Sequence, residues 1–159
     1  MTISPQMQKR LDKIQALVNE GYTLDKKYGL PIFKTSEDKA KPVGGLKAPT
    51  GFSWIAFFFP FAVCTQIREW SYFYITGIFF LLLSFIHIIF GVEASGPGSL
   101  ALGILYGYNY PYLRYISNKK GTEEIPVFIS IILGLVLSII CVIPSIVIDI
   151  IAEYMHAPT

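Results

Sequence analysis

GFSWIAFFFPFAVCTQIREW, residues Gly51 to Trp70, decides how this chain is arranged. It places seven aromatic residues and a proline in twenty positions and ends at an Arg-Glu pair before Trp70. Its uncharged apolar part, Phe52 to Ile67, is 16 residues long. A straight helix of that length rises about 24 Å, short of a hydrocarbon core of roughly 30 Å. Pro60 stands mid-stretch, where a missing N–H and a ring clash kink or break a helix, and Ser53 is placed to cap its start. The segment either crosses a bilayer or enters one and returns, and every later crossing inverts with the choice.

The rest of the chain makes a bilayer the relevant solvent. Of 159 residues, 53% are hydrophobic and 15% charged, and the mean hydropathy is +0.52. WSYFYITGIFFLLLSFIHIIFGV (Trp70–Val92) and IPVFISIILGLVLSIICVIPSIV (Ile125–Val147) each run 23 residues without a Lys, Arg, Asp or Glu. About 20 helical residues suffice to cross. A third block, SLALGILYGYNYPYLRYI (Ser99–Ile116), is interrupted by Asn109, Pro111 and five tyrosines. Counted from Pro97 it still reaches a span's length, and its tyrosines suit the headgroup level. Residues 1–49 hold no apolar core of the kind a cleaved signal peptide needs.

Charge arbitrates the opening question. If residues 52–67 cross, nine lysines and arginines fall inside and four outside; if they dip and return, all thirteen fall on one side. Lysine and arginine collect on the cytoplasmic side of membranes. The expected fold is therefore an all-α membrane protein with three transmembrane helices, at 70–92, 97–116 and 125–148. A re-entrant or interfacial helical segment occupies 52–69, an external tail 149–159, and a linker 35–51. The amino terminus is expected in the cytoplasm and the carboxyl terminus outside.

Residues 1–34 divide into an amphipathic cytoplasmic helix and a connection. Ser4 suits the N-cap, Pro5 the first turn and Gly21 the exit. Met7, Leu11, Ile14 and Val18 form a narrow apolar stripe. It fits a partner helix, a lipid surface or the rest of this chain, and its lack of Trp and Phe weighs against lipid. Residues 22–34 read as an irregular or short extended connection. The linker is rich in Gly, Pro and Lys, with little to bury.

FSWIAFFFPF (Phe52–Phe61), followed by Arg68-Glu69-Trp70 and by Gly107-Tyr108-Asn109-Tyr110 ahead of a basic turn, resembles a family of small bacterial inner-membrane proteins known as a domain of unknown function. The resemblance covers Gly51 to about Lys120. In that family an aromatic and a basic pair precede the tryptophan, and Thr65–Trp70 keeps only part of that pattern. The resemblance implies a bacterial, multi-pass inner-membrane protein and no particular activity.

Small residues recur on the three expected spans: Gly77, Ser84 and Gly91; Ser99, Gly103 and Gly107; Ser130, Gly134 and Ser138. Such stripes let helix backbones approach closely where lipid removes the hydrophobic incentive to associate. They predict packing of the spans on one another or docking of a second chain. Three intramembrane polar residues are candidates for function by position: His87, Asn109 and Asp149. Asp149, Glu153 and His156 share a helix face on the side expected to hold His87 and Glu93, a set that is chiefly interfacial and only secondarily suited to a cation or protons. Asn109 is expected to bond a neighbouring helix or the backbone freed by Pro111.

Cys64 and Cys141 stand alone in apolar blocks and read as small core residues. No catalytic residue, metal site or cofactor is expected, since the chain holds no G-x-S-x-G, HExxH, phosphate-loop or paired-cysteine motif. Its basic residues are mixed with acids, which argues against nucleic acid. The expected partners are the lipid bilayer and other membrane-protein subunits or further copies of the chain. The expected function is that of a non-enzymatic accessory or scaffold subunit. The alternative is a small oligomeric channel or transporter component.

Overall fold

A computed structural model describes residues 4–34, 40–42 and 50–156. The chain begins with helix α1 (Pro5–Asn19) and three short strands, β1 (Thr23–Lys27), β2 (Leu30–Lys34) and β3 (Ala40–Pro42). Two short helices, α2 (Trp54–Phe58) and α3 (Pro60–Gln66), precede three long ones, α4 (Ser71–Phe90), α5 (Ser95–Lys119) and α6 (Val127–His156).

Helix α1 forms as its ends dictate. Ser4 Oγ accepts from Met7 N–H at 3.3 Å and Pro5 opens the first turn. At its end Gly21 adopts φ +94°, with Gly21 N–H on Val18 O and Tyr22 N–H on Leu17 O. Those paired bonds satisfy the last carbonyls of the helix. Met7, Leu11 and Ile14 are buried against α5, and Val18 is half-buried. The stripe is thus spent inside the chain, at about 1.5–3 kcal/mol per fully buried side chain.

The all-α expectation is corrected by the strands, which form an antiparallel sheet in the order β1-β2-β3 where an irregular or short extended connection was expected. Tyr28 (φ 52°) and Gly29 (φ 81°) make a two-residue turn with both residues left-handed, the geometry that matches strand twist. The register pairs Lys27 with Leu30 and Lys26 with Pro31. In such a hairpin the pair flanking the turn is hydrogen-bonded and the next is not. Pro31 N therefore points away from β1, and β3 ends at Pro42 opposite Ile32, so no ladder bond is lost. Phe33 is buried edge-on against Tyr112 of α5, with centroids 5.7 Å apart. Apart from β3 and residues 50–51, the expected linker lies outside the described residues.

Residues 52–67 form a bent pair of helices. Phe59 (φ −129°, ψ 51°) leaves the helical region, and Pro60 then opens α3. Ser53 N–H bonds Gly107 O at 2.8 Å, and farther along, Phe57 lies over Gly103. On the return, Phe61 lies against Gly134, Ile67 O accepts from Ser117 Oγ at 3.1 Å, and Gln66 O accepts from Ile125 N–H at 2.9 Å. Thus α2 and α3 run in opposite directions, α2 against α5 and α3 against α6. A cap on α3 ends the pair: Arg68 N–H bonds Thr65 O and Glu69 N–H bonds Cys64 O. Its left-handed position, usually glycine, is held by Arg68 at φ 55°.

The long helices are ordered by their contacts. Gly77 faces Cys141 and Ser84 faces Ser145 and Asp149, so α4 and α6 run parallel. Tyr72 meets Tyr106, and Phe79 and Leu83 meet Gly98, so α5 runs antiparallel to α4. Two helical stretches, Ser71–Phe90 and Val127–Tyr154, are long and apolar enough to cross a membrane. Large apolar residues such as Ile78, Leu82, Ile132 and Leu135 stay exposed on their outer faces. Helix α5 differs: Leu102, Tyr106, Asn109, Tyr110, Tyr112 and Leu113 are all buried.

Candidate functional site

Two of the polar candidates, His87 and Asp149, gather at the end of the bundle remote from α1 and the sheet. Gly91 takes φ 65° and gives its N–H to His87 O at 2.8 Å, ending α4. Gly98 lies hard against Leu83 and Phe79, and the start of α5 is thereby drawn onto α4. Helix α6 presents Ser145, Asp149 and Glu153 four residues apart on one face. Together these elements enclose a cleft of about 530 Å³ lined by Ser84, His87, Glu93, Ser95, Ser145, Asp149 and Glu153 over an apolar floor that includes Phe80 and Leu83.

At its base Ser84 Oγ donates to Asp149 Oδ2 at 3.1 Å and lies 3.4 Å from Ser145 O. Asp149 Oδ1 is shut off from solvent without a partner. His87 is half-buried, while Glu93 and Glu153 are exposed at the mouth. The cleft presents carboxylates and an imidazole with no lysine or arginine, an arrangement that attracts cations and repels anions. Among the described residues no three His, Cys, Asp or Glu side chains converge closely enough to hold a metal ion. The His156 side chain lies outside the described residues.

Asn109 takes a different role from the two expected. Its Nδ2 donates to Leu105 O at 2.7 Å, one turn back on its own helix. Pro111 lacks the N–H that would bond the carbonyl four residues before it. That carbonyl belongs to Gly107 and is the one taken by Ser53 N–H. The proline in α5 thereby creates the acceptor that anchors the aromatic pair.

The small residues divide by role. A Cβ on Gly77 would sit 3.1 Å from Cys141 O, on Gly103 2.9 Å from Phe57 O, on Gly134 2.7 Å from Phe61 O, and on Gly107 inside the Phe52 ring. Ser130 and Ser84 are buried, and Ser138 is half-buried. Two expectations are corrected. Gly91 has nothing within 4 Å of a built Cβ and serves as a left-handed helix end. Ser99 is exposed and bonds Ser95 O at 3.0 Å within its own helix. Gly98, outside the predicted spacing, makes the close contact in its place.

At the opposite end, ion pairs and hydrogen bonds hold α1, the sheet and the turns together. Lys26 pairs with Glu69, which is buried and also receives Ser71 Oγ. Arg114 bridges Glu124 at 2.6 Å and Tyr110 Oη at 2.9 Å. Arg10 donates to Phe52 O at 2.7 Å. Sequence reading missed these pairs because their partners lie 10 to 43 residues apart. It also read Arg68 and Glu69 as a unit, whereas Arg68 is exposed and Glu69 buried.

Comparison of the chain with protein-family models, with curated proteins and with solved structures returns no match.

Proposed function

We propose that this chain is a multi-pass membrane protein that serves as a non-enzymatic accessory or scaffold subunit of a bacterial inner-membrane assembly. Its spans are α4, α5 and α6, and residues 52–69 enter the membrane and return. Two features support the topology. The described lysines and arginines lie on α1, the sheet, the α3–α4 turn and the carboxyl end of α5, while Glu93, Asp149 and Glu153 mark the other end. That separation matches a cytoplasmic amino terminus and an external carboxyl terminus. Helix α5, the least apolar span, is also the one covered by α1, α2 and the sheet, so its polar residues need not meet lipid.

The observation that carries the scaffold reading is how the bent pair is seated. The rings of Phe52 and Phe57 occupy the faces of Gly107 and Gly103, and the Phe61 backbone with the Thr65 hydroxyl closes on Gly134, so the segment fills the bundle by close packing. With those glycine faces filled from within, partner spans meet the outer faces of α4 and α6, and a cytoplasmic partner meets the exposed side of α1. Purification in mild detergent tests this directly. Foreign subunits in stoichiometric amount support it; a symmetric homo-oligomer that conducts ions on reconstitution overturns it. The second reading, a channel or transporter component, is favoured by the anion-repelling cleft around Asp149 and predicts that latter result. The topology is tested separately: an impermeant amine label added to intact cells leaves Lys119 and Lys120 unmodified.

A further inference from the structure

The first position of a tight left-handed hairpin turn usually holds Asn, Asp or Gly. In the β1–β2 turn it holds Tyr28, which is 87% exposed, more than any other large hydrophobic residue described. The Lys27 ammonium stands 5.5 Å from the centroid of the Tyr28 ring. An aromatic ring and a cation thus project together from the tip of the sheet.

The place of that tip is fixed by its packing. Gly29 lies directly on the start of α4: a Cβ built there would be 2.9 Å from Ser71 Cβ and 3.0 Å from Ile75 Cδ1. Ser71 Oγ lies 3.5 Å from Gly29 O, and Lys26 pairs with the buried Glu69 just before the helix. Ser71 and Ile75 head a stripe that continues down α4 at helical spacing through Ile78, Leu82 and Phe85, all exposed. In the proposed topology this stripe faces lipid, so the turn overhangs the acyl chains beside α4. Trp70 and Tyr74, also exposed, lie at the same end of α4. The rest of the hairpin climbs away from the bilayer, because Phe33 meets Tyr112, more than one turn of α5 beyond the Tyr106 that faces Tyr72.

We propose that the β1–β2 turn is a lipid-docking element: the Tyr28 ring lies in the headgroup layer beside α4, and the Lys27 ammonium engages the phosphate of an anionic phospholipid. The inference rests on the proposed membrane topology and adds to it a lipid contact made outside the spans. Tyrosine suits that layer because its ring is apolar and its hydroxyl wet. Charge complementarity selects the headgroup. Lys26 is matched by Glu69 and Lys34 by Asp25, whereas among the described residues no carboxylate pairs with Lys27. A lysine beside an anionic leaflet favours association by about fivefold. A soluble partner fits this place less well, since it would have to displace the headgroups over the α4 stripe.

Quenching of tryptophan emission by brominated lipid tests the proposal, on the full-length protein in vesicles of phosphatidylcholine and phosphatidylglycerol. Tyr28→Trp keeps an amphipathic ring. Its emission above the background of Trp54 and Trp70 should be quenched by lipid brominated near the headgroup end of the chain. Thr23→Trp, exposed at the far end of β1, should escape that quenching. Ile78→Trp reports on the topology alone and should be quenched by lipid brominated deep in the chain. Quenching at position 78 but not at 28 overturns the docking element and leaves the topology standing; no quenching at 78 overturns the topology itself. Brominated phosphatidylglycerol should quench position 28 more than an equal amount of brominated phosphatidylcholine. Lys27→Gln in the Tyr28→Trp background should reduce that preference about two- to fivefold. Equal quenching by the two lipids overturns the headgroup assignment. Emission at 28 that is open to aqueous iodide and untouched by either lipid marks a tip free for a soluble partner and overturns the proposal.

Discussion

Replacing Gly134 by alanine tests the seating of the aromatic pair at its tightest point. The added Cβ would lie 2.7 Å from Phe61 O, 2.8 Å from Thr65 Oγ1 and 3.0 Å from Phe61 C. Two of those atoms are backbone and cannot swing aside, so α3 must move off α6 by about 0.7 Å to restore an ordinary contact. A gap of that size forfeits roughly a quarter to a half of the dispersion attraction across the contact. Overpacking of this kind costs about 1–3 kcal/mol. Against it stands the helix preference for alanine over glycine, about 1 kcal/mol at most. The expected net loss is about 0–2 kcal/mol, centred on about 1. Gly96→Ala supplies the control, because it is also helical and nothing lies within 4 Å of its Cβ. It should be neutral or slightly stabilising. Reversible unfolding in mixed micelles, followed by the fluorescence of Trp54 and Trp70, measures both. If Gly134→Ala proves as stable as Gly96→Ala, the close approach of α3 to α6 is wrong.

Further expectations concern the end that carries α1 and the sheet. Arg114→Ala leaves the half-buried Glu124 with only the Gln66 amide at 3.4 Å and removes the partner of the buried Tyr110 hydroxyl, and should cost about 1–3 kcal/mol in the same assay; a neutral result would count against the pairing. Arg68→Gly relieves a left-handed arginine and should stabilise by about 1 kcal/mol; a loss would show that the side chain supplies a contact. The Lys34 ammonium, 2.9 Å from Asp25, and the Lys26 N–H hold the Asp25 carboxyl below its ordinary 3.8. A lowered value means the folded state favours the carboxylate. The contribution is therefore present above pH 3.8 and is lost as pH falls through the folded value; full exposure keeps it small. Carbon-13 titration of Lys34→Ala should show the Asp25 midpoint rising toward 3.8, and an unmoved midpoint would count against the pairing.

Much of the helical plan is legible in the sequence because the two helices apolar enough to cross a membrane are long uncharged runs. The blocks from Trp70 and from Ile125 correspond to α4 and α6, although α6 continues to His156, past the expected boundary at 148, since Asp149 and Glu153 are polar without breaking a helix. The interruption at Pro60 is legible for a backbone reason, a missing N–H. The sheet is not: its turn is Tyr28-Gly29 and carries no Asn-Gly signal, and Pro31 argues against a strand until the register shows its nitrogen facing away from β1. The small-residue stripes show that something approaches closely without saying what. Gly103 and Gly107 receive Phe57 and Phe52, and only three-dimensional placement connects Pro111, the Gly107 carbonyl and Ser53. In the cleft, Asp149 and His87 stand out as polar residues in apolar runs, whereas the contribution of Ser84 depends on α4 and α6 running parallel.

The seating of the aromatic pair also bears on biogenesis. Residues 52–66 leave the ribosome before Gly103 and Gly107, and long before Gly134, so the segment is made ahead of both surfaces that receive it. Under the proposed topology, the α3 backbone at Phe61 has no mate until the last helix has been inserted, and the nascent segment would wait at the lipid headgroups or in the care of an insertase. A chain truncated after Lys120 would keep it in that waiting state, open to quality-control proteolysis despite carrying the whole pair.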